Sequence, residues 1–452
     1  MKIIKKKVPL RFIMKKKIFI SLIISVLFSS CLQFTNQYSG LAPGVWRGVL
    51  KLEMKDQPLK KRSGHLDADP KMKFEDVTQG ELPFLFEVVY DSKEKFHVEL
   101  INAEERIRLD DIKMGRDRRS GKDTFRIVFP EYQNYLVGAV EGGVMQGKWV
   151  VPSKSEYSIP FTAKFGQSHR FTTLQKTPTA DISGNWETTF GLEGEVKDQE
   201  KAIGQFKQNG NLLTGTFATE TGDYRYLQGE VQANKLYLSC FDGAHAFLFE
   251  GKIIDNNALI GAFQSGKSSK STWDGKRNQN FKLREADKIT QIKANEAKIN
   301  FPNPDGKIIS LQNAEYQGKV KILQIMGTWC PNCKDETRFL SEYTKNNPNV
   351  AVIGLAFERN KEKAKADMVL KNYKNAMQAP YEFVVAGYAD KQEASQVLPF
   401  LDKVAAFPTT IYIDKHNKIR KIYTGFYGPA TNEFAAFKTE FDTFVKGLEN
   451  EK

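Results

Sequence analysis

The sequence predicts a multidomain protein in which an all-β N-terminal region precedes an α/β domain. Residues 44–170 and 180–284 contain short apolar segments divided by Gly, Asp, Asn and Lys clusters, and they lack the 3.6-residue period of helices. After residue 299, apolar strands alternate with charged helical segments, a pattern typical of a sheet covered by helices. At 452 residues the chain is too long for one hydrophobic core, so several domains are expected.

The first 30 residues predict a lipoprotein signal peptide. A basic segment precedes a largely apolar run of eleven residues, 18–28, which is too short to span a bilayer and fits a secretory h-region. Residues 27–31, LFSSC, resemble a bacterial lipobox, which implies that Cys31 becomes the lipidated N-terminal residue. This interpretation places the protein in the cell envelope, lipid-anchored and facing the periplasm. An ordinary cleaved signal peptide and an uncleaved anchor are the alternatives.

The charge of the chain gives no reason to expect a nucleic-acid partner. The formal net charge is +13, but residues 1–30 hold eight lysines and arginines and no acidic residue, which leaves +5 for the remainder. A mildly basic surface of this kind does not call for a polyanionic ligand. A hydrophobic content of 40% is enough for folded domains.

The β region after a tether at 31–43 carries signs of an internal repeat. Gly44-Val45-Trp46 opens the first segment, and Gly184-Asn185-Trp186 opens the second. We therefore predict a duplicated antiparallel meander, and the sequence leaves open whether the two units form a barrel or a sandwich. Cys240 alternates with apolar neighbours and is predicted to be a small buried strand residue.

The chemistry is concentrated in residues 319–336, KVKILQIMGTWCPNCKDE. The apolar run Val320–Met326 predicts a buried strand that leads directly into a helix. Cys330 would then lie at the helix N-terminus, where free backbone N–H groups and the helix dipole favour a thiolate over a thiol. We predict that Cys330 is the nucleophile and that Cys333, one turn later, is the resolving cysteine. The only redox group expected is the Cys330–Cys333 disulfide, without a further cofactor.

Residues 299–452 resemble the TlpA/ResA-like thiol-disulfide oxidoreductases of the thioredoxin superfamily. Four motifs occur in the expected order, namely DGK at 305–307, QGKV at 317–320, WCPNC at 329–333 and AFPTT at 406–410. The resemblance implies a thioredoxin-like α/β domain.

The same resemblance assigns roles to further site residues. It implies that Pro408 is a cis proline facing the two sulfurs and that Glu336 assists proton transfer. Trp329, Phe407 and Thr409 are then candidate substrate contacts.

Simpler interpretations of the cysteine pair remain. A zinc site needs four N or S ligands, and the nearest further candidate in the sequence is His416. A structural disulfide would close a loop too short to stabilise much. Residues 285–298 are charged and predict a linker helix between the β region and the α/β domain.

Taken together, the residues and the resemblance predict an extracytoplasmic, membrane-tethered disulfide reductase. The family implies partners of two kinds: disulfide-bearing secreted proteins, and a membrane thiol that donates electrons. The alternative is a ligand- or protein-binding lipoprotein in which the β region binds and the thioredoxin-like domain serves as a docking module.

Overall fold

The computed structural model describes residues 40–52 and 78–451. The predicted signal peptide at 1–30, the lipidation site Cys31 and most of the tether at 31–43 lie outside these residues. The described chain forms three units in succession: a nine-stranded half-barrel, a closed barrel and an α/β domain. In the two described stretches, no helix combines the length and the apolar character that crossing a bilayer requires.

The first unit is one antiparallel sheet. Its strands are β1 (Gly44–Lys51), β2 (Glu81–Tyr90), β3 (Phe96–Asn102), β4 (Glu105–Leu109), β5 (Ile112–Arg116), β6 (Asp123–Phe129), β7 (Asn134–Glu141), β8 (Val144–Val150) and β9 (Ser158–Phe165). The strand order is β4-β3-β2-β1-β9-β8-β7-β6-β5, so the first strand pairs with the last. Within the described residues β4 and β5 do not pair, and the unit therefore remains an open half-barrel.

The second unit closes on itself. Its strands are β10 (Gly184–Phe190), β11 (Glu200–Asn209), β12 (Leu212–Thr219), β13 (Gly222–Asp223), β14 (Leu227–Gln232), β15 (Lys235–Phe241), β16 (Ala246–Asp255), β17 (Ala258–Ser265) and β18 (Ser269–Arg277). β10 pairs with both β11 and β18, and β11 also pairs with β12, which completes an eight-stranded ring. The two-residue β13 forms a small hairpin at the end of β12.

The two β units begin alike, as their shared Gly-x-Trp openings suggest. Gly44 and Gly184 have φ angles of 111° and 106°, which favour glycine because a Cβ would be strained there. Each indole N–H then donates to the carbonyl four residues earlier, at 2.9 Å for Trp46 and 2.8 Å for Trp186. Both units therefore begin with the same glycine conformation and the same indole hydrogen bond, each at the first strand of its unit. This recurrence supports a duplicated meander.

Aromatic side chains fill the interior of the barrel. Phe217 is fully buried, and its ring centroid lies 4.8 Å from that of Phe249 and 5.6 Å from that of Trp273. Cys240 is also fully buried in this cluster, and burial raises the pKa of its thiol well above the ordinary value. In its described residues the barrel thus has a packed hydrophobic core where a ligand-binding barrel has a cavity.

The half-barrel packs against the outside of the barrel. Side chains alternate along β15, so Tyr237 and Phe241 point outward into the half-barrel core, and Phe241 lies 5.2 Å from Trp149. Arg170 is buried between the units and donates to the Ser239 hydroxyl at 2.8 Å. The two β units consequently share one apolar interface.

The third unit has a central sheet covered by helices. Its elements are β19 (Asn300–Pro302), β20 (Ile308–Ser310), β21 (Val320–Met326), α1 (Pro331–Asn346), β22 (Val350–Glu358), α2 (Lys363–Met377), β23 (Glu382–Tyr388), α3 (Lys391–Val397), β24 (Thr409–Ile413), β25 (Ile419–Thr424) and α4 (Phe434–Asn450). The sheet order is β23-β22-β21-β24-β25, in which β21 runs parallel to β22 and antiparallel to β24. The predicted fold class, a mostly-β N-terminal region followed by a thioredoxin-like domain, is confirmed.

Burial explains why β21 is the central strand. All seven of its residues are buried, and Phe437 and Phe441 of α4 belong to the core that covers the sheet on one side. The buried Lys321 of this strand directs its ammonium group to the Asp414 carbonyl at 3.1 Å. The strand is therefore held in the core of the unit, and α1 begins shortly after it at Pro331.

The predicted linker helix at 285–298 is wrong. Only Ala286–Lys288 forms a single 3₁₀ turn, and the chain then follows an irregular path of turns and bends, with isolated bridges from Ile292 to Leu401 and from Glu296 to Lys418. The segment also buries the Ala297 side chain in the core of the third unit. Tertiary pairing has overridden the helical propensity of a charged segment.

Candidate thiol site

The two cysteines lie where β21 turns into α1. Cys330 is the N-cap of the helix, and Pro331 occupies the first helical position. A backbone N–H at this position would have no acceptor within the helix, so proline loses no hydrogen bond there. Gly327 directly follows the strand, and the position favours glycine because a Cβ here would lie 2.3 Å from the indole nitrogen of Trp329. A tight glycine turn therefore delivers Cys330 to the helix N-terminus, as the sequence predicts.

The environments of the two thiols differ. The Cys330 sulfur accepts the backbone N–H of Cys333 at 3.2 Å and lies 3.5 Å from the carbonyl oxygen of Phe407. Cys330 is 6% exposed, whereas Cys333 is fully buried. Burial raises the pKa of the Cys333 thiol well above its ordinary value, because a buried thiolate loses its hydration. Both cysteines are free thiols in this structure.

The loop before β24 faces these sulfurs. The Phe407–Pro408 peptide bond is cis, and the Pro408 carbonyl accepts the backbone N–H of Gly425 at 2.8 Å. The half-buried rings of Phe407 and Trp329 meet edge to face at 5.6 Å and form an apolar rim beside Cys330. Both rings are thus placed where a partner could contact them.

Thr409 does not fit the predicted role of substrate contact. Its side chain is fully buried, and its hydroxyl donates to the Ala406 carbonyl at 2.8 Å. This bond closes the proline loop from the inside. The Thr409 side chain therefore supports the loop and does not reach the surface, which corrects the prediction.

Glu336 lies on the inner side of α1, one turn after Cys333. It is 2% exposed, and its carboxylate accepts the hydroxyl of Thr410. Its second carboxylate oxygen has no hydrogen-bond partner among the described residues. Burial raises the pKa of Glu336 to about 7, and its charge contributes to the raised pKa of Cys333. Glu336 can therefore exchange a proton at neutral pH near the second thiol.

A second buried carboxyl group, not singled out from the sequence, flanks the other side of the site. Glu358 ends β22 and accepts the backbone N–H of Thr328 at 2.9 Å and the hydroxyl of the same residue at 2.8 Å. Burial raises the pKa of Glu358 to about 7. The position was available from the sequence, since Glu358 follows an apolar run and the ends of parallel strands meet at one sheet edge.

Arg359 was also missed, and it contributes positive charge to the rim. Its guanidinium lies over the Trp329 ring at 4.5 Å from the centroid. Burial lowers the pKa of Arg359, while the nearby Cys330 and Glu358 act in the opposite direction. The residue is exposed on the same side as the half-buried Trp329.

This arrangement supports thiol-disulfide exchange. One sulfur is partly accessible and receives a hydrogen bond from the helix start, while the other is buried next to a carboxyl group that titrates near neutrality. Groups with strongly perturbed pKa values that surround a nucleophile are typical of functional sites. The geometry brings together Cys330, Cys333, Glu336 and Pro408, as the sequence predicts.

Comparisons with known proteins found similarity to one protein family and to several solved structures. The Redoxin family model matches residues 284–436. A thioredoxin-family thiol:disulfide interchange protein from Chlorobium tepidum TLS is 21% identical, covering 35% of this chain and 97% of its own, with a TM-score of 0.27. A thiol-disulfide oxidoreductase from Bacteroides fragilis NCTC 9343 is 16% identical over 33% of this chain and 98% of its own (TM-score 0.25). A secreted thiol-disulfide isomerase from Corynebacterium glutamicum is 17% identical over 38% of this chain and 99% of its own (TM-score 0.28). No curated protein matches the chain significantly.

The family match and the dithiol site fall on the same unit. The match begins at residue 284, so it includes the irregular segment that precedes β19. Residues 284–436 therefore form a Redoxin domain with a thioredoxin-like fold.

Proposed function

We propose that the protein is an extracytoplasmic, membrane-tethered thiol-disulfide oxidoreductase that works as a disulfide reductase. The observation that carries the proposal is the contrast between Cys330, which caps α1 and is partly accessible, and Cys333, which is fully buried. An attacking sulfur must reach its partner, whereas a resolving sulfur needs only to reach the first one.

The proposed cycle balances two electrons and two protons. The Cys330 thiolate attacks one sulfur of a substrate disulfide, forms a mixed disulfide and expels the other substrate sulfur as a thiolate. Cys333 then gives its proton to Glu336 and attacks the Cys330 sulfur, which forms the Cys330–Cys333 disulfide and releases the second substrate thiolate. The two substrate thiolates take up two protons, one released by Glu336 and one from solvent that replaces the proton lost by Cys330 on ionisation. A dithiol donor outside the cytoplasm, in our proposal a membrane thiol, reduces the pair again.

The reductase direction is part of this proposal. A dithiol protein is a strong oxidant when its reduced form is stabilised. Ionisation of Cys333 does not supply such stabilisation, because burial raises the pKa of its thiol. On this proposal the pair passes its electrons to the disulfides of secreted proteins.

We expect the chain to catalyse reduction faster than oxidation. With dithiothreitol as the electron source, it should accelerate insulin reduction by at least about tenfold over dithiothreitol alone. The oxidised chain should transfer its disulfide to reduced, unfolded ribonuclease much more slowly, as followed by thiol titration. Faster oxidation of ribonuclease than reduction of insulin would overturn the proposed direction.

The tether is tested separately from the chemistry. In bacterial cells that express the whole chain, Cys31→Ser removes the proposed acylation site and should move the protein from the membrane fraction to the soluble fraction. The substitution should leave insulin reduction by the purified protein unchanged. Retention of Cys31→Ser in the membrane fraction after a carbonate wash would argue against the lipid anchor.

A further inference from the structure

A hairpin of the barrel reaches the thiol site. Residues 219–223 join β12 to β13 and lie against the redox domain at two places. A Cβ added to Gly222 would lie 1.9 Å from the side-chain nitrogen of Asn332, the residue between Pro331 and Cys333. A Cβ added to Gly425, just after β25, would lie 2.7 Å from the Cα of Thr221. The hairpin backbone is therefore in direct contact with the segment that carries the cysteines.

Hydrogen bonds hold this hairpin in place. The Asp223 carboxylate accepts the backbone N–H of Gly428 at 2.8 Å and, through its other oxygen, the backbone N–H of Arg225 at 2.8 Å. Nearby, the Gln205 amide donates to the Glu433 carboxylate at 2.8 Å. The barrel and the redox domain are thus joined by bonds on both sides of the hairpin.

A buried ion cluster anchors α1 to the β units. Arg225 is 3% exposed and pairs with Asp335 of α1, with Glu105 of the half-barrel at 2.8 Å and with Asp242 of the barrel at 3.4 Å. Burial alone would lower the pKa of Arg225, but the surrounding carboxylates, Glu105 first, outweigh burial and raise it. One guanidinium therefore links all three units, and removal of such a partner leaves buried charges uncompensated.

The residue before Asp335 makes a second ionic contact. The Lys334 ammonium lies 3.0 Å from the Glu131 carboxylate and over the Tyr132 ring at 4.6 Å from its centroid. Burial lowers the pKa of Lys334 to about 8, although the Glu131 charge opposes this shift. The two residues that directly follow Cys333 both point into the β region, so the start of α1 is closed on that side.

We propose that the hairpin at 219–223 is a wall of the thiol site that determines partner specificity. It blocks approach from the Asn332 side, so that a partner disulfide must reach Cys330 across the Trp329 and Phe407 rings. The selected partner is a disulfide on a narrow or extended protein segment, because a broad surface would meet the barrel. This proposal rests on the proposed function, since it names the partners of the same site.

The wall is tested by alkylating Cys330 with two maleimides that differ only in size. N-ethylmaleimide and a long polyethylene-glycol maleimide share one reaction, so the ratio of their rates reports access to the thiol alone. The Cys333→Ala chain provides the background, and peptide mass spectrometry identifies the modified thiol. N-ethylmaleimide should react with Cys330 about tenfold or more faster than the bulky reagent. Arg225→Gln should reduce this ratio of rates by about threefold or more.

Arg170→Gln is the matched control. Arg170 is 3% exposed, as Arg225 is, but its hydrogen bonds join the half-barrel to the barrel. Its loss should leave the size ratio unchanged. If circular dichroism shows that Arg225→Gln is unfolded, the ratio of rates is measured on Asp335→Asn instead. This variant keeps the side-chain volume and leaves Arg225 paired with Glu105 and Asp242.

Two results would overturn the wall: equal rates of the two maleimides in the Cys333→Ala chain, or a ratio of rates that folded Arg225→Gln or Asp335→Asn leaves unchanged. Failure of the proposed function gives a different signature. In that case the wild-type chain does not reduce insulin, whatever the size ratio is. The two proposals can therefore fail independently.

Discussion

Replacement of Cys330 by Ser is expected to abolish disulfide reduction, with insulin turnover falling by roughly 10³-fold or more. The substitution keeps the shape of the helix N-cap but replaces the sulfur that must form the mixed disulfide. Cys333 cannot take over this role, because its side chain is fully buried and the pKa of its thiol is raised. The measurement is the initial rate of insulin reduction at saturating dithiothreitol.

Cys240→Ala is the control for this prediction. Cys240 is also a buried free thiol, but it belongs to the aromatic core of the barrel. Its loss should leave the rate per folded molecule unchanged. Appreciable turnover by Cys330→Ser, or an equal loss in Cys240→Ala, would contradict the assignment of the nucleophile.

Replacement of Glu336 by Gln is expected to slow turnover by roughly 10²-fold at pH 8, the lower end of what a positioned proton acceptor contributes. The Glu336 pKa is raised to about 7, so its carboxyl group is mostly protonated well below pH 7 and mostly ionised above it. Only the ionised form can accept the Cys333 proton. The ratio of wild-type to variant kcat/KM should therefore rise with pH through about 7.

The ratio isolates Glu336 because both proteins share every other titrating group. Thr410→Val serves as a graded control, since the hydrogen bond from Thr410 lowers the pKa of Glu336. Its loss should move the inflection to higher pH without removing it. A ratio that does not change with pH would show that Glu336 acts only through packing.

The thiol site could be predicted from the sequence because its central part is local. A glycine turn between a buried strand and a helix places Cys330, Cys333 and Glu336 within ten residues of Gly327. Glu358 and Arg359 follow α1 along the chain, at the end of β22, and reach the site only through the pairing of β21 with β22. Their participation depends on sheet register, which a motif does not encode.

The relation of the three units could not be predicted for the same reason. The repeated Gly-x-Trp openings indicate two similar meanders, but closure depends on whether edge strands meet, as β11 and β12 do and β4 and β5 do not. Contacts such as Arg225 with Asp335 join residues 110 positions apart. The irregular path of 285–298 likewise follows from tertiary pairing with Leu401 and Lys418.

The central claim is that Cys330 attacks and Cys333 resolves, and trapping tests it most directly. In the Cys333→Ala chain the mixed disulfide cannot be resolved, so substrate proteins of the native cell should accumulate as adducts on Cys330, visible on non-reducing gels. The Cys330→Ala, Cys333→Ala chain should capture none. Adducts that form at Cys333 in a Cys330→Ala chain, with none at Cys330 in the Cys333→Ala chain, would contradict the account.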